Sequence, residues 1–149
     1  MISLHFTTRL PGFTLEADCD LPGDGFTAVL GPSSCGKSTL TGSIADLVKP
    51  ASGTISVNGR VFRSDDPCID LPVESRGILA AETLLIMDEP LASLDSERKA
   101  ELLGYFERIP EITGIPVLYI THAADEAERL AKTVLTMKDG RIADIRTPA

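Results

Sequence analysis

Gly31-Pro32-Ser33-Ser34-Cys35-Gly36-Lys37-Ser38 fits the pattern G-x-x-x-x-G-K-[ST], a combination of residue types suited to gripping phosphate. Glycines let the backbone wrap closely round an anion, and successive N–H groups with a helix N-terminus supply partial positive charge. A lysine brings a point charge to the β- and γ-phosphates of a nucleotide, and the hydroxyl after it can ligate Mg²⁺. The candidate binding segment is Gly31, Pro32, Ser33, Ser34, Cys35, Gly36, Lys37, Ser38 and Thr39. Fifty residues on, Leu84-Leu85-Ile86-Met87 ends in Asp88-Glu89. Asp88, on a strand expected beside the loop's own, would hold Mg²⁺ together with Ser38. Glu89 would poise a water against the γ-phosphate as general base. His122 directly follows Val117–Thr121, at the strand end where parallel α/β sheets bind ligands, and is read as a γ-phosphate contact rather than a cap or surface residue.

These groups need a scaffold, and the patterning supplies one. Phe26–Leu30 reads as a buried strand before the loop, and Thr39–Leu47 as a helix after it, with Leu40, Ile44 and Leu47 at helical spacing. Strand, glycine loop, helix is the context the motif requires. Ile2, Leu4 and Phe6 alternate as in an edge strand, and Phe13–Cys19 alternates again. Thr54–Val57, Asn58-Gly59 and Arg60–Phe62 read as a hairpin, followed by a polar loop over Arg63–Pro72. Thr83–Met87 is apolar enough for a central parallel strand. A helix from Ser96 to Ile109 capped by Asp95, a strand over Val117–Thr121, a helix over Ala123–Ala131 and a closing strand-turn-strand complete the alternation. The expected fold is α/β: a mainly parallel sheet flanked by helices, with an antiparallel N-terminal part.

With 149 residues, 43% hydrophobic and 24% charged, the chain is one domain's worth with an ordinary globular composition. Its net charge of −8 argues against nucleic acid as the main ligand. No apolar run approaches the ~20 residues that span a bilayer, so a cytoplasmic location is expected, with membrane association only through a partner. Cys19, Cys35 and Cys68 are odd in number and widely spaced, which suggests neither a zinc site nor a disulfide framework. Cys35, between a lysine and a helix start, is expected to be the most thiolate-like of the three.

Taken together, these pieces resemble the ATP-binding subunits of ABC transporters. Asp88-Glu89-Pro90-Leu91-Ala92-Ser93-Leu94-Asp95 looks like that family's magnesium aspartate, catalytic glutamate and D-loop, and Tyr119-Ile120-Thr121-His122 like its switch-histidine segment. Phe13–Leu15 with Asp20–Val29, and less specifically Asp70–Arg76, look most like molybdate-importer ATPases. The resemblance implies a P-loop NTPase that binds ATP and Mg²⁺ and hydrolyses ATP with Glu89 and His122. It also implies pairing with a second ATP-binding subunit and with membrane permease subunits, peripheral on the inner face of the membrane. Phe13 is the nearest candidate to stack on adenine, although Phe6 and Phe13 could equally be core.

The departures matter as much. The family's glutamine loop, helical subdomain and Leu-Ser-Gly-Gly-Gln signature should follow Glu74-Ser75-Arg76. Here Arg76-Gly77 runs straight into Ile78-Leu79-Ala80-Ala81-Glu82, which looks like the tail of the helix after the signature. The chain contains no glutamine and no Leu-Ser-Gly-Gly. Residues 1–149 thus read as one internally shortened ATP-binding domain with an apparent deletion junction near 76–78. Two outcomes stay open: an impaired importer ATPase, or a non-hydrolysing nucleotide-binding or regulatory module, a decayed gene product included.

Overall fold

Alternation of apolar and polar residues builds the first layer. In the computed structural model, which describes residues 1–77 and 83–148, β1 (Ile2–Leu10) and β2 (Phe13–Leu21) pair antiparallel, with Leu4 opposite Cys19 and Phe6 opposite Ala17. Ile2, Leu4, Phe6, Leu15 and Ala17 are buried on one face. β4 (Ser52–Val57) and β5 (Arg60–Ser64) form the hairpin read from Asn58-Gly59. Both turn residues have positive φ, 48° and 82°, as a tight hairpin turn of this hand demands. Because β4 pairs with the far side of β1, β1 is an internal strand rather than the edge strand its alternation suggests. Period-2 burial reports which face is covered and is silent on pairing. The stretch read as polar loop holds the end of β5 and a short β6 (Ile69–Asp70).

β3 (Phe26–Leu30), β7 (Leu85–Asp88), β8 (Val117–Ile120) and β9 (Ala131–Lys138) form the parallel part, and β10 (Arg141–Arg146) returns antiparallel on β9. The sheet order is β6-β5-β4-β1-β2-β10-β9-β3-β8-β7. Two expectations change here. β8 lies between β3 and β7, so the strand bearing Asp88 is one removed from the loop's strand. β7 is also the outermost strand rather than a central one, and Leu85, Ile86 and Met87 are only half-buried. An apolar run of four cannot by itself distinguish these positions.

Helices cover both faces of the parallel part. α1 (Lys37–Ile44) sends Leu40 and Ile44 into one core with Val29, Leu118, Ile120 and Met137. α2 (Ser96–Phe106) packs Leu103 against Phe26, Val117 and Tyr119 on the opposite face, and α4 (Ala124–Leu130) sets Ala127 on Ala28 and Val134. Adjacent residues of β8 therefore serve opposite layers, as strand geometry requires. α1 stops at Ile44, leaving Leu47 72% exposed. The helix read over 96–109 divides at Glu107-Arg108 into α2 and a short α3 (Ile109–Thr113). Pro110 lies in the first turn of α3, where its missing N–H is harmless, whereas inside a continuous helix it would break the ladder.

Candidate nucleotide site at the sheet's carboxyl edge

The strand-to-helix step after β3 is held from beneath. Gly36 has φ 108°, and a Cβ there would lie 2.9 Å from Phe13 Cζ, so only glycine fits between the turn and that ring. α1 begins at Lys37 with no side-chain cap, leaving its first backbone N–H groups for a ligand. Lys37 is 8% exposed, and its Nζ donates to the carbonyls of Gly31 (2.6 Å) and Pro32 (2.9 Å). The ammonium is thereby fixed across the concave side of the loop.

Three segments converge above it. A cavity of about 240 Å³ is lined by Ser33, Ser34, Gly36, Lys37 and Ser38 from the loop, Asp88 and Glu89 from the end of β7, and Ile120 and His122 from the end of β8. Glu89 adopts φ 48°, a left-handed conformation that non-glycine residues hold only under constraint. Its Oε1 is buried and meets Nδ1 of His122 in direct contact. The neighbouring strands β7 and β8 thus deliver Asp88, Glu89 and His122 to one place.

Other candidates fall differently. Pro32 is exposed, and Gly31 contributes its carbonyl to Lys37; neither lines the cavity, nor does Thr39. Cys35 is 3% exposed and sits in the main core, its Sγ 3.9 Å from Lys37 Nζ. The expectation of a reactive loop thiol is corrected: the loop turns this side chain inward, and Cys68 is the exposed cysteine. Burial, reinforced by Asp20 and Asp18, pushes the Cys19 thiol up to about 12. Phe6 is 4% exposed and belongs to the core. Phe13 is only partly buried and lies against Gly36. Ile78–Glu82, read as the tail of a helix, lie outside the described residues. On either side of them, Thr83 N donates to Gly77 O at 3.1 Å.

Two buried networks had no signal in the sequence beyond ordinary surface-type residues. Arg76 is fully buried beneath α1. Its guanidinium donates to the carbonyls of Leu71 (2.7 Å), Ser43 (3.0 Å) and Ile44 (2.7 Å) and to Asp46 (3.2 Å) and Asp70 (3.1 Å). Burial pulls its basicity down, and the two aspartates oppose that shift. The second network centres on Glu126, 3% exposed, which accepts from the hydroxyls of Tyr119 and Thr121 at 2.9 Å each. Burial first, and Glu126 second, raise the Tyr119 phenol above its ordinary range.

A glycine loop opening a helix from a parallel strand, with Asp-Glu and His at neighbouring strand ends, gives the chain the P-loop fold of an ABC ATPase cassette. Two solved structures share that fold. One is the MJ0796 ATP-binding cassette, determined as a post-hydrolysis dimer bound to ADP and Pi (TM-score 0.77, 14% identity, 100% of this chain and 99% of that one). The other is cbiO1 from Clostridium perfringens, part of the ABC transporter complex cbiONQ (TM-score 0.78, 20% identity, 99% and 88%).

Residues 16–74 match the family model described as ABC transporter. In sequence the chain is similar to the molybdenum import ATP-binding protein ModC of Pseudomonas aeruginosa, 30% identical over 210 residues and covering 95% of this chain. It spans 58% of that relative's length, and the matched stretch is longer than this whole 149-residue chain. Among the described residues no helix is long and apolar enough to cross a membrane.

Proposed function

We propose that this chain is the ATP-binding domain of an ABC importer ATPase, of the kind serving molybdate or a similar oxyanion, internally shortened near residues 76–78. The observation that carries the nucleotide reading is the convergence of Lys37, Ser38, Asp88, Glu89 and His122 on one cavity of about 240 Å³. The donor set suits the ligand. Uncapped N–H groups at the start of α1 and the Lys37 ammonium fit a polyphosphate, and Gly31, Pro32, Ser33, Ser34, Cys35, Gly36 and Thr39 frame them with backbone. Ser38 and Asp88 offer one hydroxyl and one carboxylate to Mg²⁺. Phosphate oxygens and water would complete that ion's shell.

Glu89 is the group to orient and deprotonate an attacking water, and His122 is the contact for the transferred phosphate. With Nδ1 turned to Glu89, His122 keeps Nε2 for that contact. Mg²⁺, when bound, neutralises charge on the β- and γ-phosphates. Of Phe6 and Phe13, Phe13 is the one left partly exposed for an adenine. The full site needs a second ATP-binding subunit to supply the signature that this chain lacks, and coupling to permease subunits at the cytoplasmic face of the membrane would be crippled.

The second reading, a non-hydrolysing nucleotide-binding module, is favoured by the absence of any glutamine and of Leu-Ser-Gly-Gly. Both readings require binding. Calorimetric titration with ATP-Mg²⁺ should show saturable binding that Lys37→Ala weakens at least about tenfold, because charge-assisted hydrogen bonds worth ~1.5–3 kcal/mol are removed. Equal affinity of the two proteins would overturn the assignment.

A further inference from the structure

His122 is 59% exposed at the end of β8, yet the residues on both sides of it are held from below. Thr121 Oγ1 donates its single hydrogen to Glu126 Oε2 at 2.9 Å, because an ionised carboxylate can only accept. The hydroxyl's lone pairs are then free for the backbone N–H of Ala123, which donates to Oγ1 at 3.0 Å. The two bonds close a ring around His122, and Glu126 sets its orientation. Tyr119 OH donates to the same Oε2 at 2.9 Å, while Lys99 Nζ lies 3.3 Å from Oε1. Lys99 belongs to α2, whose N-cap is Asp95, whose side chain accepts from Arg98 N. α2 is the first helix after Glu89. One carboxylate therefore joins the segment that carries His122 to the helix that follows the segment carrying Glu89.

We propose that Glu126 is a positioning residue for the nucleotide site, a role that rests on the reading given above for His122 and Glu89. An apolar side chain would fill the same volume with less desolvation, so a nearly buried charge at this point demands a reason. The hydrogen-bond inventory gives one: two hydroxyls and an ammonium, all donors, meet at a single acceptor-only group. A glutamine that turns its N–H₂ toward Lys99 sets donor against donor and breaks the link to α2; turned toward the hydroxyls, it makes them accept and leaves the Thr121 hydrogen without its carboxylate partner. The first orientation frees α2, and the second reverses the bond that anchors Thr121.

The test uses the imidazole signals of the whole chain, which has two histidines, His5 and His122. Nitrogen–proton correlation spectra without nucleotide should show the His122 ring signals displaced in Glu126→Gln and in Thr121→Val. They should return to their native positions in Thr121→Ser and stay unmoved in Glu128→Gln, a change on the exposed side of the same helix. His5, on β1, should keep its signals in every variant. Should Glu126→Gln fail to fold, Thr121→Val, isosteric with the native residue, carries the same comparison. His122 signals superimposable on wild type in the folded Glu126→Gln and Thr121→Val proteins would overturn the proposal. Adding ATP-Mg²⁺ to wild type separates this result from the nucleotide reading. If the variants displace His122 while ATP-Mg²⁺ moves neither histidine, the positioning role stands and the nucleotide assignment fails.

Discussion

The two halves of the site are held in different ways. The phosphate loop is rooted in the main core: Cys35 and Lys37 are 3% and 8% exposed, and α1 is locked at its far end by Arg76. The other half, Asp88 and Glu89, hangs from β7, the outermost strand of the described sheet, with His122 one strand inward and exposed. On the proposed reading, recognition of phosphate rests on the loop half, whereas turnover rests on groups at a sheet edge and, by the family resemblance, on a signature that the sequence lacks. A cassette of that kind would keep the first function and lose the second.

The sharpest way to break this comparison is to undercut the loop's foundation. Arg76→Met should cost about 3 kcal/mol or more, since it strips the carbonyls of Leu71, Ser43 and Ile44 of their donor and leaves Asp46 and Asp70 only more exposed cations. Equilibrium denaturation would measure it, and a loss below about 1 kcal/mol would mean that the loop half is not anchored as described. A smaller effect is expected in the other half. Glu89→Gln should change the unfolding free energy by less than about 1 kcal/mol, because its partner His122 is exposed and its backbone is strained.

Maleimide labelling followed by mass spectrometry sharpens the contrast through access alone. Cys68 should react first, and Cys35 and Cys19 only on opening of the fold, with ATP-Mg²⁺ slowing Cys35 solely by stabilising the loop half. The smallest effect lies far from the site. A hydrogen bond to Asp18, opposed by partial burial, raises the pKa of His5 above 6.5. Its contribution to stability is present below that value and is lost as pH rises through the folded-state pKa. His5→Gln should remove a slight fall in denaturation midpoint between about pH 6 and 8.

Much of this was legible from local pattern. The Gly31–Ser38 spacing, the Asn58-Gly59 turn and the Asp95 cap each encode a backbone requirement within a few residues, and each is found as read. What the sequence conceals is lateral order. Nothing in Leu84–Met87 reveals that β8 intervenes before the loop's strand, because strand order is decided by crossovers rather than by composition. Side-chain direction is hidden for the same reason: Cys35 sits in a polar loop by sequence and points into the core by geometry. Arg76 and Glu126 carry no sign of burial in the sequence, and only the assembled sheet and helices bring them the partners that permit it.

Binding without turnover is the expected behaviour of this chain, and both can be followed in one sample. ATP-Mg²⁺ is titrated into the isolated chain while inorganic phosphate release is recorded. Saturable, Lys37-dependent binding is predicted, with release at background and unaltered by Glu89→Gln. Robust release that Glu89→Gln abolishes would contradict it, because the edge-strand half would then be a complete catalytic arm without a partner's signature.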